Sequence, residues 1–354
     1  MKVVFRVDSS TQIGTGHVMR CLTLAEELVK YKNRIIFICK KYDGSLISFL
    51  EQKGYEVFRI LQPHSSNYDD HHWLIDALET ITHLKRIGLI DWLVVDHYTL
   101  DKRWEEMVHS YAKKIMVIDD LADREHECDM LLDQNYYVDS DSRYKCLVPL
   151  GCKMLLGPKY ALLRNEFRNM RRESIHNQRS SIQRIFVCFG GSDPTNETGK
   201  ILKAIQDLRC NHLVFDVVVG ITNKYKDAIQ MLCEKHSHIN FVYNVSNISY
   251  FMSIADLCVV SGGTITWERY CLGLVGSIIT TAKNQEQLAQ TVHGLQIDYY
   301  IGKSREINEK VMMTKIESMI DTSMDHLRHR KALAMNLVDG NGVKRVVRAM
   351  NDGS

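Results

Sequence analysis

Three observations in the amino-acid sequence predict an α/β protein built from two doubly wound parallel sheets facing a central cleft. Short apolar runs alternate with amphipathic helical patterns along the chain, which is how parallel βαβ units read in sequence. The alternation lapses at one polar stretch and then restarts. At 354 residues the chain exceeds the usual size of one domain, so two domains of similar size are expected.

In the first half, strands are expected at 2–8, 34–39, 55–60, 92–96, 114–118 and 129–132, and helices at 17–31, 44–53, 71–87 and 101–112. The first strand is Val3-Val4-Phe5-Arg6-Val7, and the helix after it repeats Val18, Cys21, Leu22, Ala25, Leu28 and Val29 at helical spacing. From Arg164-Asn165-Glu166 to Ser180-Ser181 few apolar residues follow Phe167 and Met170, which suits a linker over 166–183. Strands resume at 184–189, 213–219, 240–243, 257–260, 276–280 and 298–301, with helices at 195–208, 224–235, 264–272, 284–296 and 306–320. A last helical stretch, 325–350, is broken by Asp339-Gly340-Asn341-Gly342. The domains are therefore drawn as 1–165 and 184–354, the last helix being a candidate to fold back on the first domain.

Composition narrows the function classes. Hydrophobic residues at 45% and charged residues at 25% are ordinary for a soluble globular protein. A formal net charge of +2 gives no argument for nucleic acid or an anionic membrane. The basic cluster of Arg164 and Arg168 to Arg172 reads as a solvated helix face or linker. Ten cysteines are present without a C-x-x-C pair, and Cys39, Cys188 and Cys258 sit in apolar runs. This usage suits a reducing cytoplasm and no disulfide framework. No signal-like segment or run of about 20 apolar residues is present, so a soluble cytoplasmic protein without stable membrane association is expected. Asp69-Asp70-His71-His72 reads as the start of an amphipathic helix through Leu74, Ile75, Leu78 and Ile81 rather than as a metal site.

The chemistry-bearing motifs follow strands. Gly14-Thr15-Gly16-His17-Val18-Met19-Arg20 joins the first strand to the first helix, where unpaired amides favour an anionic ligand. There a neutral His17 could take a proton from water, or could simply cap the turn. Gly190-Gly191-Ser192-Asp193-Pro194 and Ser261-Gly262-Gly263-Thr264 are two further small-residue turns before helices, suited to phosphates. Glu268, one turn past the second, could accept hydrogen bonds from ribose hydroxyls. Thr280 and Thr281 lead to Asn284-Gln285-Glu286-Gln287, whose amides could meet sugar hydroxyls or cap a helix. Asp96-His97-Tyr98 and Ile118-Asp119-Asp120-Leu121 place polar residues after strands of the first half, with a turn role favoured for at least one of Asp119 and Asp120. Gly14-x-Gly16-x-x-Met19 lacks the third glycine of a dinucleotide fingerprint, and no P-loop is present.

Taken together, these stretches make the chain resemble the UDP-sugar hydrolases of pseudaminic acid biosynthesis. More distantly it is similar to the lipid-linked N-acetylglucosamine transferase of peptidoglycan synthesis. The resemblance also rests on Ala122-Asp123-Arg124, Leu132-Asp133-Gln134-Asn135 and Leu156-Gly157-Pro158-Lys159-Tyr160-Ala161-Leu162-Leu163-Arg164, and it covers nearly the whole chain. It implies a glycosyltransferase-B fold, with two Rossmann-like domains. It implies hydrolysis of UDP-2,4-diacetamido-2,4,6-trideoxy-β-L-altropyranose to UDP and free sugar, by water attack at the anomeric carbon with inversion and without metal or cofactor. His17 would be the general base. The substrate would be held by Gly14, Gly16, Arg20, Tyr98, Gly190, Gly191, Ser192, Ser261, Gly262, Gly263, Thr264, Glu268, Asn284 and Gln285. The same resemblance implies coupling to a downstream nonulosonic acid synthase and a link to flagellin glycosylation. Extra length relative to compact relatives is expected near 62–90 and 137–152. The competing readings are a glycosyltransferase using a related UDP-amino sugar and a non-catalytic nucleotide-sugar binder.

Overall fold

The computed structural model describes residues 1–61, 72–176, 179–206 and 211–352. Asp69, Asp70 and His71 therefore lie outside the described residues, as do the last two residues of the helix expected over 195–208. The chain divides into two compact units, Met1–Leu162 with Asn341–Ser354, and Leu163–Gly340.

The first unit runs β1 (Lys2–Val7), α1 (Gly16–Val29), β2 (Arg34–Lys40), α2 (Ile47–Gln52), β3 (Glu56–Ile60), α3 (His72–Ile87), β4 (Ile90–Asp96), α4 (Lys102–Val108), β5 (Ala112–Ile118), β6 (Met130–Asp133), α5 (Ser140–Arg143) and β7 (Lys153–Leu156). Its strands form a parallel sheet in the order β3-β2-β1-β4-β5-β6-β7. Alternate residues of β1 serve opposite faces, as the period of a strand requires. Val3, Phe5 and Val7 meet Val18, Cys21, Leu24 and Leu28 of α1. Val4 joins Ala77 and Leu84 of α3 and Trp104 of α4 on the other face.

The second unit runs α6 (Asn165–His176), β8 (Arg184–Cys188), α7 (Glu197–Gln206), β9 (Val214–Val219), α8 (Lys226–Cys233), β10 (Ile239–Tyr243), α9 (Ile248–Ile254), β11 (Leu257–Ser261), α10 (Ile265–Cys271), β12 (Gly276–Thr280), α11 (Glu286–Gly294), β13 (Tyr299–Lys303), α12 (Glu309–Ile320) and α13 (Met324–Leu337). Its parallel sheet has the order β10-β9-β8-β11-β12-β13. The final helix, α14 (Gly342–Asn351), belongs to the first unit, where Val343, Val346, Val347 and Met350 enter the same core as Phe5.

Four findings correct the sequence reading. The segment 166–183, expected as a linker, opens with α6, whose Phe167 is fully buried. The basic cluster there is not merely solvated, because Arg171 donates to the carbonyl oxygens of Cys271, Met335 and Val338. Those carbonyls lie at the ends of α10 and α13, where helices leave acceptors unpaired. The helix expected over 101–112 stops at Val108, and Ala112 already belongs to β5. Strand β7 and the short helices α5 and α9 were not expected at all. Among the described residues no helix is long and apolar enough to cross a membrane, and the nine described cysteines are free thiols.

Candidate active site

Parallel strands bring their carboxyl ends side by side, so residues at or just past the ends of β1, β4, β5 and β6 converge. These are Asp8, Asp96, Asp119 with Asp120, and Asp133. His17 joins them from the first turn of α1. Its Nδ1 lies 2.6 Å from Asp96 Oδ1. A carboxylate only accepts, so Nδ1 carries the proton and the lone pair of the neutral ring stands on Nε2. Among the described residues Nε2 takes no hydrogen bond, and the side chain is 9% exposed.

Arg20, one turn further along α1, fixes this pair. Its Nε donates to Asp96 Oδ2 at 2.6 Å and its Nη2 to Oδ1 at 2.7 Å. Its Nη1 reaches Asp120 Oδ2 at 2.7 Å. Burial alone would raise the Asp96 carboxyl, but Arg20 and His17 outweigh it and hold the group well below the ordinary carboxylate range. Tyr98 closes the cluster: its hydroxyl lies 3.4 Å from Asp120 Oδ2, and its ring meets His17 edge-on at 4.5 Å. Asn135 donates to Asp120 Oδ1 at 3.0 Å.

The neighbouring carboxylates are structural. Asp119 accepts from the Ala122 amide at 2.8 Å, the turn role favoured for one of the pair. Asp8 clamps the fully buried Arg6 together with Asp76, and His97 Nε2 lies 3.1 Å from it. The Asp133 carboxyl is pushed up to about 7, first by burial and then by the charge of Asp120. Tyr144 donates one proton to two carboxylates, 3.1 Å from Asp119 Oδ2 and 2.9 Å from Asp133 Oδ2.

Gly14 and Gly16 shape the loop into α1. Gly14 adopts a φ of 83°, and its amide donates to Ser10 O at 2.9 Å, tightening the loop before α1. Gly16 is the first residue of α1.

In the second unit, the turns after β8 and β11 lie at the carboxyl end of that sheet. Gly190 has a φ of 79°. Gly191 is backed by Gly220 after β9, where a Cβ would stand 2.4 Å from the Gly191 Cα. Ser192 is half-buried, and Asp193 accepts from the amides of Glu197 and Thr198 at 2.9 Å, so it caps α7. After β11, Ser261 is buried. The amides of Gly263 and Thr264 donate to no acceptor among the described residues, while that of Gly262 faces β12 at the end of the Ser261–Ile279 ladder. A Cβ on Gly262 would stand 3.2 Å from the Gln285 Cβ. Gln285 is thus a support for the turn, its Oε1 accepting from the Thr281 amide at 3.0 Å, while Asn284 is exposed. Glu268 on α10 lies 3.3 Å from Arg164 Nη2 and remains a fifth exposed, with burial raising its carboxyl against the pull of Arg164.

Thus His17, Arg20 and Tyr98 form one cluster. Within the second unit, Ser261, Gly262, Gly263, Thr264 and Gln285 form a second grouping. The sequence reading missed Asp96 as the partner of His17, Asp120 as the anchor of Arg20, Gly220 and Arg164. Asp96 and Asp120 were visible only as polar residues after apolar strands.

Two Rossmann-like units in tandem give the chain the glycosyltransferase-B fold. The structure of Acinetobacter baumannii MurG superposes with a TM-score of 0.69 at 12% identity, covering 99% of this chain and 100% of that one. WaaG, a glycosyltransferase involved in lipopolysaccharide biosynthesis, superposes with a TM-score of 0.55 at 14% identity over 98% and 99% of the two chains. In sequence, the chain is similar to the UDP-2,4-diacetamido-2,4,6-trideoxy-beta-L-altropyranose hydrolase of Campylobacter jejuni, with 28% identity over 302 residues, 84% of this chain and 99% of the relative. No protein family model matches the chain.

Proposed function

We propose that the chain is an enzyme acting on a UDP-sugar. More specifically, it hydrolyses UDP-2,4-diacetamido-2,4,6-trideoxy-β-L-altropyranose to UDP and the free sugar. The similarity to the Campylobacter hydrolase supports the substrate class, and the His17–Asp96 pair at 2.6 Å is the observation that carries the chemistry. With Nδ1 donating to Asp96, His17 Nε2 takes a proton from water. The water oxygen bonds to the anomeric carbon as the C–O bond to the diphosphate breaks, inverting that centre, and UDP leaves with the bonding pair. Asp96 stabilises the resulting imidazolium and holds the ring in its productive tautomer.

The open amides of Gly263 and Thr264, with Gly262 and the Gly190-Gly191-Ser192 turn, suit the developing charge on the diphosphate. The exposed part of Glu268 suits the ribose hydroxyls. Tyr98 and Asn284 are assigned to the sugar, Gln285 supporting the turn from behind; Gly14, Gly16 and Arg20 shape the pocket around His17. On this reading the product feeds a nonulosonic acid synthase and, further on, flagellin glycosylation.

The test is incubation of the purified protein with the UDP-diacetamido sugar, without acceptor and with a chelator present. Stoichiometric UDP and free sugar of inverted anomeric configuration are expected. UDP release only after a saccharide or lipid acceptor is added would assign a transferase instead, and UDP-sugar binding without turnover would leave a binder.

A further inference from the structure

The second unit holds a cavity of about 570 Å³ that takes no part in the proposed reaction. It lies where α11 ends, β13 begins and the first half of α13 passes, at the edge strand of the sheet. The nucleotide-suited turns follow the opposite, carboxyl ends of β8 and β11, so the two places are separated by the length of the strands. Cavities of this size accept whole small molecules.

Its lining carries positive and donor groups without a carboxylate. His293 and Gln296 come from one side, Tyr299 from the strand, and His326, His329 and Arg330 from α13. Arg330 is the informative residue. Its guanidinium stacks over the Tyr299 ring at 4.1 Å, which fixes its plane. Its Nη1 is buried and has no hydrogen-bond partner among the described residues. The acid nearest on the same helix, Asp325, is bonded to Arg328 at 2.9 Å. Nη1 is covered, so the groups a ligand oxygen in the cavity could meet are Nε and Nη2, which are not covered and have no hydrogen-bond partner among the described residues.

We propose that this cavity binds a small solute bearing an oxyanion, a phosphate or a carboxylate, with Arg330 as the principal contact and His326 and His329 flanking it. The stacked guanidinium presents a planar fork that matches two oxygens of one such group. This site stands whether or not the hydrolase reading holds.

The test uses the full chain and isothermal calorimetry, with inorganic pyrophosphate and citrate as probes against sodium chloride of equal ionic strength. Saturable binding of at least one probe is expected, and which one binds distinguishes a phosphate from a carboxylate source. Arg330→Gln should weaken it about tenfold, the loss of one charge-assisted contact. Arg330→Lys should fall between the two. His326→Ala, an exposed change, should weaken binding severalfold and decides the matter if Arg330→Gln fails to fold. Absence of binding by both probes would overturn the proposal, leaving a water-filled recess. So would heats equal to those from chloride, or unchanged affinity in Arg330→Gln and His326→Ala alike.

Discussion

At the scale of single residues, the decisive contact is between His17 and Asp96, with Arg20 gripping the same carboxylate. Two substitutions separate chemistry from scaffolding. His17→Ala removes only the proposed base, whose ring is partly open, so kcat should fall by about 10²–10⁴ with the melting temperature and UDP affinity little changed. Asp96→Asn should lower kcat as well, because the ring loses the acceptor that sets its tautomer. Unlike the first, it should also lower stability by about 1–3 kcal/mol, since Arg20 loses one of its two carboxylates and keeps only Asp120. Initial rates and thermal melts of both variants check this. Nearly native turnover in His17→Ala would remove the base assignment, and an unshifted melt in Asp96→Asn would remove the clamp.

Asp133 adds a pH dependence. Its carboxyl is raised to about 7, so the folded chain binds this proton more tightly than the unfolded chain does. The stability it contributes is therefore complete below the ordinary carboxyl value and is lost as pH rises towards about 7. The upper bound on that loss is on the order of 4 kcal/mol. Protonated Asp133 also suits Tyr144, which has one proton for two carboxylates. Asp133→Asn, which cannot ionise, should raise the melting temperature relative to the native chain at pH 8 and change it little at pH 4. An equal difference at both pH values would place the titration elsewhere.

At the scale of elements, the turn after β11 and the helix following it work as a unit. Gly262 rests on Gln285, whose side chain holds Thr281, so three successive segments fix the open amides. Glu268 projects from α10 beside them, already engaged by Arg164. Glu268→Ala should weaken UDP binding about tenfold, the worth of a hydrogen bond to a charged acceptor. Calorimetry reads it directly, and an unchanged dissociation constant would reject the ribose contact. The 14 residues of α1 repeat their apolar stripe often enough to be read, and β1 is a continuous apolar run. Helix α6 was illegible because one buried phenylalanine and hydrogen bonds from Arg171 to distant carbonyls hold it, rather than a stripe of its own.

At the scale of the whole molecule, the chain returns to its first unit at the end. Helix α14 places Val343, Val346, Val347 and Met350 in the core with Phe5 and Leu24, and its start rests on the backbone of Tyr160 and Ala161. Burying four such side chains stabilises by about 6–12 kcal/mol as an upper bound, comparable to the entire stability of an ordinary domain. A chain ending at Gly340 should therefore leave its first unit unfolded, while the second keeps its fold. Limited proteolysis followed by mass spectrometry should find protected fragments only from 163–340. Protection of 1–162 in that truncated protein would show the helix to be dispensable.

The sequence by itself determined the alternation of strands and helices, the presence of two parallel-sheet units, and the placing of His17 and the small-residue turns directly after strands. Those properties are local: they depend on periodicity and on which residues tolerate a tight turn. Only the tertiary structure decided that Asp96 and Asp120 fix His17 and Arg20, that Arg164 holds Glu268, and that the last helix completes the first core. Each of these joins residues about 80 to 350 positions apart. Strand order and register bring them together, and no spacing along the chain encodes either.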